Sequence, residues 1–434
     1  MIGLLTVLAA LLYCFVWLRP PEVAGVILPA QRLVAWAGLA ALISLLLLKG
    51  NLIAGPAARG FLRWVTVFVV FLILTLVRQL AYGENFHPLY FIMDFSKYAA
   101  GFGMAFLCYY ALAGRLVSER RLVGGIVASG LLATVLVYIL LGLYFVGFRT
   151  ELQLIAPSFG GALGVWPTGD LLPRLAGPTA EPQQLSVALL TPLLLMLSPR
   201  YLPRFWPVAI LAACALLLSQ SKFALVSMVV VAWYLFLVYR RARVPLVLGS
   251  LALAPAIALA LFRLPTFAAT LEAGLSAGSF VERLGNIMLL LNIIGEHPIF
   301  GIGAGHYGVY RGQTLFGDWS YNPGYTPNMD FLKVFAETGV VGFVLLLCLL
   351  GFLIRLFTRG ARVIRSDDRP IYLAFFLGAL TIMLNMTIGY ELLHAFFWIN
   401  IGTLLYFVDR YRAHSALARS SERSDVAANP AAPA

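Results

Sequence analysis

Apolar residues run through this chain in long blocks, and polar residues are confined to the gaps between them. A helix needs roughly 20 apolar residues to cross a hydrocarbon core of about 30 Å. Twelve blocks approach or meet that length: 2–18, 24–48, 61–82, 90–113, 122–147, 183–198, 205–219, 223–239, 244–262, 331–357, 370–389 and 392–408. The pattern predicts an all-α polytopic membrane protein of about 12 transmembrane helices, forming a single transmembrane domain over residues 1–409. No basic stretch precedes the first block, so it is expected as a retained helix and not a cleaved signal.

Two gaps are long, 148–182 and 263–330, the latter between predicted helices 9 and 10. Within the second, Val281, Leu284, Ile287, Met288 and Leu291 recur at helical spacing. This predicts an interfacial amphipathic helix over 279–294. Residues 301–328 are rich in Gly, Tyr and Pro and predict turns. The segment 410–434 is rich in Ala, Ser and Arg and predicts a disordered tail. An internal repeat, the mark of many transporters, is not evident.

Composition narrows the class further. Of the 434 residues 61% are hydrophobic and only 12% charged, against about 25% charged in ordinary soluble domains, so a soluble enzyme is excluded. The net charge of +12 does not point to nucleic acid, because the positive residues are spread thinly over many short loops. With the N-terminus placed inside and the spans alternating, twenty Lys and Arg residues fall in inside segments and ten outside. Lys97 lies within a helix. The bias follows the positive-inside rule and predicts both termini in the cytoplasm, with the two long gaps on the outer face. Cys14, Cys108, Cys214 and Cys348 sit in apolar runs without metal-type spacing and read as buried packing residues.

Outer basic residues oppose the topological bias and so need another reason. Lys222 stands in Ser219-Gln-Ser-Lys222 between two apolar helices, where a snorkelling helix cap and a binding role are equally good readings. Arg283 belongs to the predicted amphipathic helix, where a solvated face is the plainer reading. Arg174 precedes Gly177-Pro-Thr-Ala-Glu181-Pro182, whose carboxylate enters a helix N-terminus. Arg78 closes the third span and Arg311 lies among turns; snorkelling and solvation explain them. Asp94 and Lys97 are three apart on one helix face and read as a structural ion pair. His297 and His306 have no second ligand at metal spacing, and Gly301-Ile-Gly-Ala-Gly305 is not preceded by a strand, so neither a metal nor a nucleotide loop is predicted. A DxD pair and a P-loop are absent from the sequence.

Four pieces in order resemble the O-antigen ligase and O-antigen polymerase superfamily of bacterial inner-membrane glycosyltransferases, of the GT-C type. They are Arg174-Leu-Ala-Gly177-Pro-Thr-Ala-Glu181-Pro182; Ser219-Gln-Ser221-Lys222-Phe-Ala-Leu; Glu282-Arg283 with Glu296-His-Pro298-Ile-Phe-Gly301-Ile-Gly303-Ala-Gly305; and Pro327-Asn328-Met-Asp330-Phe-Leu-Lys-Val-Phe-Ala-Glu337-Thr-Gly339-Val-Val-Gly342. Lys222 stands where the family usually has Arg, keeping the charge but losing the bidentate fork. Asn328 stands where ligases carry a His proposed to be catalytic, which favours a repeat-unit polymerase over a ligase.

The resemblance implies a glycan donor on undecaprenyl pyrophosphate, a glycan acceptor, and transfer at the periplasmic face without metal or cofactor. A chain-length regulator or a flippase are candidate partners. Diphosphate stabilisation would then fall to Lys222 and Arg283, with Arg174 as a third cation. Glu181, His306 and Asp330 are the candidate bases, and the residues leave the choice open. Asn328, Glu337, Arg311 and Arg78 would support the site. The rivals are a ligase acting on lipid A-core or a protein and, from another class, a transporter of a glycolipid or a small anion.

Overall fold

The computed structural model describes residues 1–15, 30–49, 55–82, 88–147, 165–166, 174–179, 181–219, 221–239, 278–313, 327, 329–389, 392 and 394–428. Its helices are α1 (Ile2–Leu11), α2 (Ala30–Lys49), α3 (Pro56–Tyr82), α4 (Pro88–Ala113), α5 (Glu119–Val146), α6 (Pro182–Ala188), α7 (Leu190–Met196), α8 (Leu202–Leu218), α9 (Lys222–Val238), α10 (Gly278–Glu296), α11 (Tyr307–Gln313), α12 (Asp330–Val363), α13 (Arg369–Asn385) and α14 (Ala395–Ala428). A two-residue antiparallel ladder, β1 (Val165–Trp166) with β2 (Arg174–Leu175), is the one strand pairing among the described residues.

Pro56–Ala81, Glu119–Val146 and Asp330–Val363 are long and apolar enough to cross a membrane, and shorter apolar helices surround them. The molecule is therefore a multi-pass membrane protein. Apolar side chains such as Leu74 and Val77 on α3, Val229 and Trp233 on α9, and Val344 and Leu347 on α12 face outward, as lipid-facing positions do. The predicted span 244–262 lies outside the described residues. Cys14 and Cys108 are buried as expected, whereas Cys214 and Cys348 are exposed on the outside of the bundle.

The centre of the bundle is the contact of α14 with α4. There Phe102 and Trp398 meet edge to face at 4.8 Å, with Phe61 of α3 beside both. The two backbones come close because of Gly402: a Cβ there would stand 2.1 Å from the Ala105 carbonyl oxygen. Small residues at helix crossings allow this approach, which in lipid is driven by packing and not by the hydrophobic effect.

Local chemistry explains where the helices depart from the predicted blocks. The block 183–198 folds as two short, fully buried helices with a break at Leu189. Pro192 supplies no N–H, and its ring is incompatible with a helical carbonyl at Ala188, where α6 ends. Residues 301–313, predicted as turns, contain the short helix α11. The backbone of α14 continues helical to Ala428, through a segment whose composition predicts disorder; Ala, Arg and Glu are good helix formers and carry the helix on.

At the end of the bundle that holds the start of α3, Asp409 of α14 caps that helix. Its Oδ1 accepts from the Ala57 N–H at 2.7 Å and its Oδ2 from the Ala58 N–H at 3.1 Å and the Tyr109 hydroxyl at 3.0 Å. A carboxylate at a helix N-terminus satisfies free N–H groups and complements the dipole. Asp409→Ala is expected to lower stability by about 1–2 kcal/mol, seen as a fall in the thermal midpoint of detergent-solubilised protein.

Candidate functional site

Charged residues buried among apolar helices need partners, and those of α4 and α12 supply them to each other. The Lys97 ammonium donates to Asp94 Oδ1 at 2.7 Å, one turn away on α4. The Lys333 ammonium donates to Asp94 Oδ2 at 2.6 Å across to α12, and lies 3.6 Å from Glu337 Oε2 one turn along its own helix. The predicted Asp94–Lys97 ion pair is thus half of a four-residue chain, Lys97–Asp94–Lys333–Glu337. Lys97 keeps 14% of its side chain exposed while the other three keep 3% or less, so the chain opens outward only at Lys97. Glu337 Oε2 is the one buried side-chain polar atom among the described residues without a hydrogen-bond partner.

Glu337 also ties the loop 297–307 to α12. Its Oε1 accepts from the Tyr307 N–H at 3.2 Å. One turn of α12 is interrupted at Gly339, which has φ +66°. The interruption frees carbonyls before it and N–H groups after it, and the segment 298–303 satisfies both. Ile302 N–H donates to the Ala336 carbonyl (3.1 Å) and Gly303 N–H to the Glu337 carbonyl (2.8 Å). In return Val340 N–H donates to the Pro298 carbonyl (2.8 Å). Gly301, Gly303 and Gly305 all have positive φ, so the predicted turn-forming role of this glycine run is realised against a broken helix.

A side chain at Gly339 meets two obstacles: its φ is disfavoured for L-residues, and a Cβ would lie 2.2 Å from the Ile299 carbonyl oxygen. Gly339→Ala is expected to destabilise the protein by roughly 2–4 kcal/mol through this combined strain. The check is a large drop in thermal midpoint together with proteolytic release of the loop around 297–305.

Around the ion-pair chain lie further polar groups from four helices. Arg32 of α2 is near enough to Lys97 and His394 for its charge to act on both. His394, just before α14, pairs with Gln184 of α6 at 3.2 Å. Gln183 donates to Asn385 Oδ1 of α13 at 2.7 Å. Asp330, the first residue of α12, accepts from the Leu392 N–H at 2.7 Å through Oδ2 and is buried. One turn down α6, Ser186 shares a hydrogen bond of 2.8 Å with Ser219, at the end of α8. These contacts place the Lys222 end of α9 at the same end of the bundle as His394, Lys97 and Asp330.

The sequence-predicted residues occupy definite places. Lys222 opens α9 and is exposed; the preceding Ser221 caps the helix, its hydroxyl accepting from the Phe223 N–H at 3.2 Å. Arg283 is half-buried on α10. The α10 helix packs on α12, while α9 packs on α6, α7, α8 and α13. Arg174 is in β2, beside α6 and α8. Glu181 is the residue before α6. His306 is buried, its Nδ1 3.0 Å from the Ala304 carbonyl. Arg311 is half-buried in the last turn of α11. Arg78 covers the Phe300 ring at 5.2 Å, a cation–π contact in place of simple snorkelling. Asn328 lies outside the described residues.

Between α10 and α11, Tyr307 O–H donates to Asn286 of α10 at 2.9 Å, and Tyr310 O–H donates to Glu296. That second bond holds the Glu296 carboxyl below its ordinary range, while burial first and the carboxylate second push the Tyr310 hydroxyl up to about 12. The loop helices are therefore fastened to each other as well as to α12.

Lys333, one of the ten Lys and Arg residues that the alternating topology counts outside, is the residue that the sequence pattern undervalued. Its four-residue spacing from Glu337 inside an otherwise apolar helix was the available signal. Arg32 and His394 gave no such signal, since only the fold brings them to Lys97.

No curated protein matches the chain. Residues 207–347 match the family model described as O-antigen ligase. The matched segment runs from α8 into α12 and contains Lys222, Arg283, His306, Asp330, Lys333 and Glu337. Over that segment the chain is similar to the O-antigen ligase family, which supports the resemblance to the O-antigen ligase and O-antigen polymerase superfamily.

Proposed function

We propose that this protein is a metal-independent glycosyltransferase that polymerises oligosaccharide repeat units carried on undecaprenyl pyrophosphate, at the periplasmic face of a bacterial inner membrane. The observation that carries this reading is the family match over 207–347, because that segment contains two of the three proposed diphosphate cations and two of the three candidate bases. In the reaction an acceptor sugar hydroxyl attacks the anomeric carbon of the donor. A new C–O bond forms, the bond from carbon to diphosphate oxygen breaks, and its electron pair leaves with the polyprenyl diphosphate. The hydroxyl proton passes to a base.

The leaving group gains negative charge as the bond breaks, so catalysis needs fixed positive charge beside it. Lys222, Arg283 and Arg174 are assigned that work. Lys222 is suited to it: it is exposed and stands in the first turn of a 17-residue helix, whose dipole adds positive potential at that end. His306, Asp330 and Glu181 are the bases under test. Buried Asp330 lies within reach of the charges of Lys333, Asp94 and Lys97, so the ion-pair chain sets its electrostatic surroundings. Glu337 and Arg78 hold the loop through Tyr307 and Phe300, Arg311 lies in the last turn of α11, and Asn328 is two residues before Asp330 in sequence.

A second reading, ligation of finished glycan to lipid A-core or a protein, is favoured by the description of the matched family. Asn328 in place of the ligase histidine favours polymerisation. Purified protein given lipid-linked repeat units as both donor and acceptor separates the two. Lengthened lipid-linked glycan with released polyprenyl diphosphate is the expected result. Transfer only when lipid A-core is supplied would establish the ligase, and flux without any new glycosidic bond would establish a transporter.

A further inference from the structure

The outer-loop helix α10 has two apolar faces, and only one of them is covered. Leu289, Leu290 and Ile293 are buried in a small core with Tyr307, Met329 and Ala336, against α12. The opposite face carries Leu284, Met288 and Leu291 at spacings of four and three, continued by Ile299 and Phe300 beyond the helix end. All five side chains are between 42% and 58% exposed. Left in water, a continuous stripe of this kind is an unusual surface for a folded protein.

The level of the stripe identifies what covers it. Phe300 lies under the guanidinium of Arg78, and Gly303 lies against Gln79, with a Cβ there 3.1 Å from Gln79 Cγ. Both Arg78 and Gln79 belong to the end of α3, one of the helices long and apolar enough to cross the membrane. The stripe therefore begins where a spanning helix emerges from the hydrocarbon. Arg78 at one end and Arg283, next to Leu284, at the other flank it with positive charge, which complements anionic lipid headgroups.

We propose that α10 is an in-plane membrane helix, its face of Leu284, Met288 and Leu291 seated in the outer leaflet with Ile299 and Phe300. Amphipathic helices of this type lie with their apolar face about 5–10 Å into the boundary between headgroups and acyl chains. The seat fixes Arg283 at headgroup depth. It stands on the fold alone and does not depend on the transferase reading.

The test is photo-crosslinking in the full-length protein reconstituted into bilayers of phosphatidylethanolamine and phosphatidylglycerol. Met288 or Leu291 is replaced by p-benzoylphenylalanine, with Leu290 as the buried control. Mass spectrometry is expected to find phospholipid adducts at 288 and 291 and intramolecular adducts at 290. Adducts at 288 and 291 to another protein, or no adducts at either while 290 reacts, would overturn the proposal. So would adducts that form only when a polyprenyl-linked glycan is added, since the face would then hold the donor's tail and not the bilayer. All three variants can be assayed for glycan transfer separately, so failure of the lipid seat and failure of the transferase reading are distinguishable.

Discussion

Lys333→Met is expected to remove most of the folded protein. The substitution preserves much of the side-chain volume but leaves Glu337 with no cation and Asp94 with Lys97 alone. Breaking a buried pair by removing one partner costs about 3–5 kcal/mol, because the remaining charge is stranded in a low dielectric. Glu337 Oε2 already lacks a hydrogen bond, and without Lys333 its carboxylate would keep backbone N–H contacts such as that of Tyr307 but no balancing charge. The expected result is a collapse in monodisperse yield after detergent extraction. The double change Lys333→Met with Glu337→Gln is expected to recover part of that yield, since the glutamine brings no charge and can still accept from Tyr307 N–H. If the single variant extracts and melts like the parent protein, the chain of ion pairs does not organise the site.

The second large effect is on function and not on folding. Lys222→Ala and Arg283→Ala are each expected to reduce glycan transfer by roughly 10²–10³, the scale of losing one preorganised group that stabilises developing negative charge. Lys222 is exposed and Arg283 half-buried, so membrane insertion should be unaffected. In cells lacking the native gene, either variant should leave surface glycan as single repeat units, with wild-type amounts of protein in the membrane fraction. Long chains from both variants would remove these two residues from the mechanism.

Much of the architecture was legible because membrane helices announce themselves by length and apolarity. The apolar blocks at 61–82, 122–147 and 331–357 correspond to the three helices best suited to span. The four motif pieces were legible as an ordered set, and Asp94–Lys97 could be read from helical spacing alone. What could not be read were pairings set by distant chain segments. Gly339 looked like a motif glycine, yet its conformation answers to Pro298–Gly303, brought to it by α10. The split at Leu189 could have been read from Pro192, but a single apolar run obscured it. Lys333 was visible only as an outer charge, because its main partner is 239 residues away on α4.

In the proposed reaction, cations at one end of the bundle hold the diphosphate as it departs. Single-turnover release of polyprenyl diphosphate from a lipid-linked donor, by purified protein reconstituted in bilayers, tests this most directly. Lys222→Ala and Arg283→Ala should each slow release by two orders of magnitude or more, with Lys222→Arg retaining most of the rate because it restores the guanidinium usual in the family. Release at the parent rate by both alanine variants would contradict it.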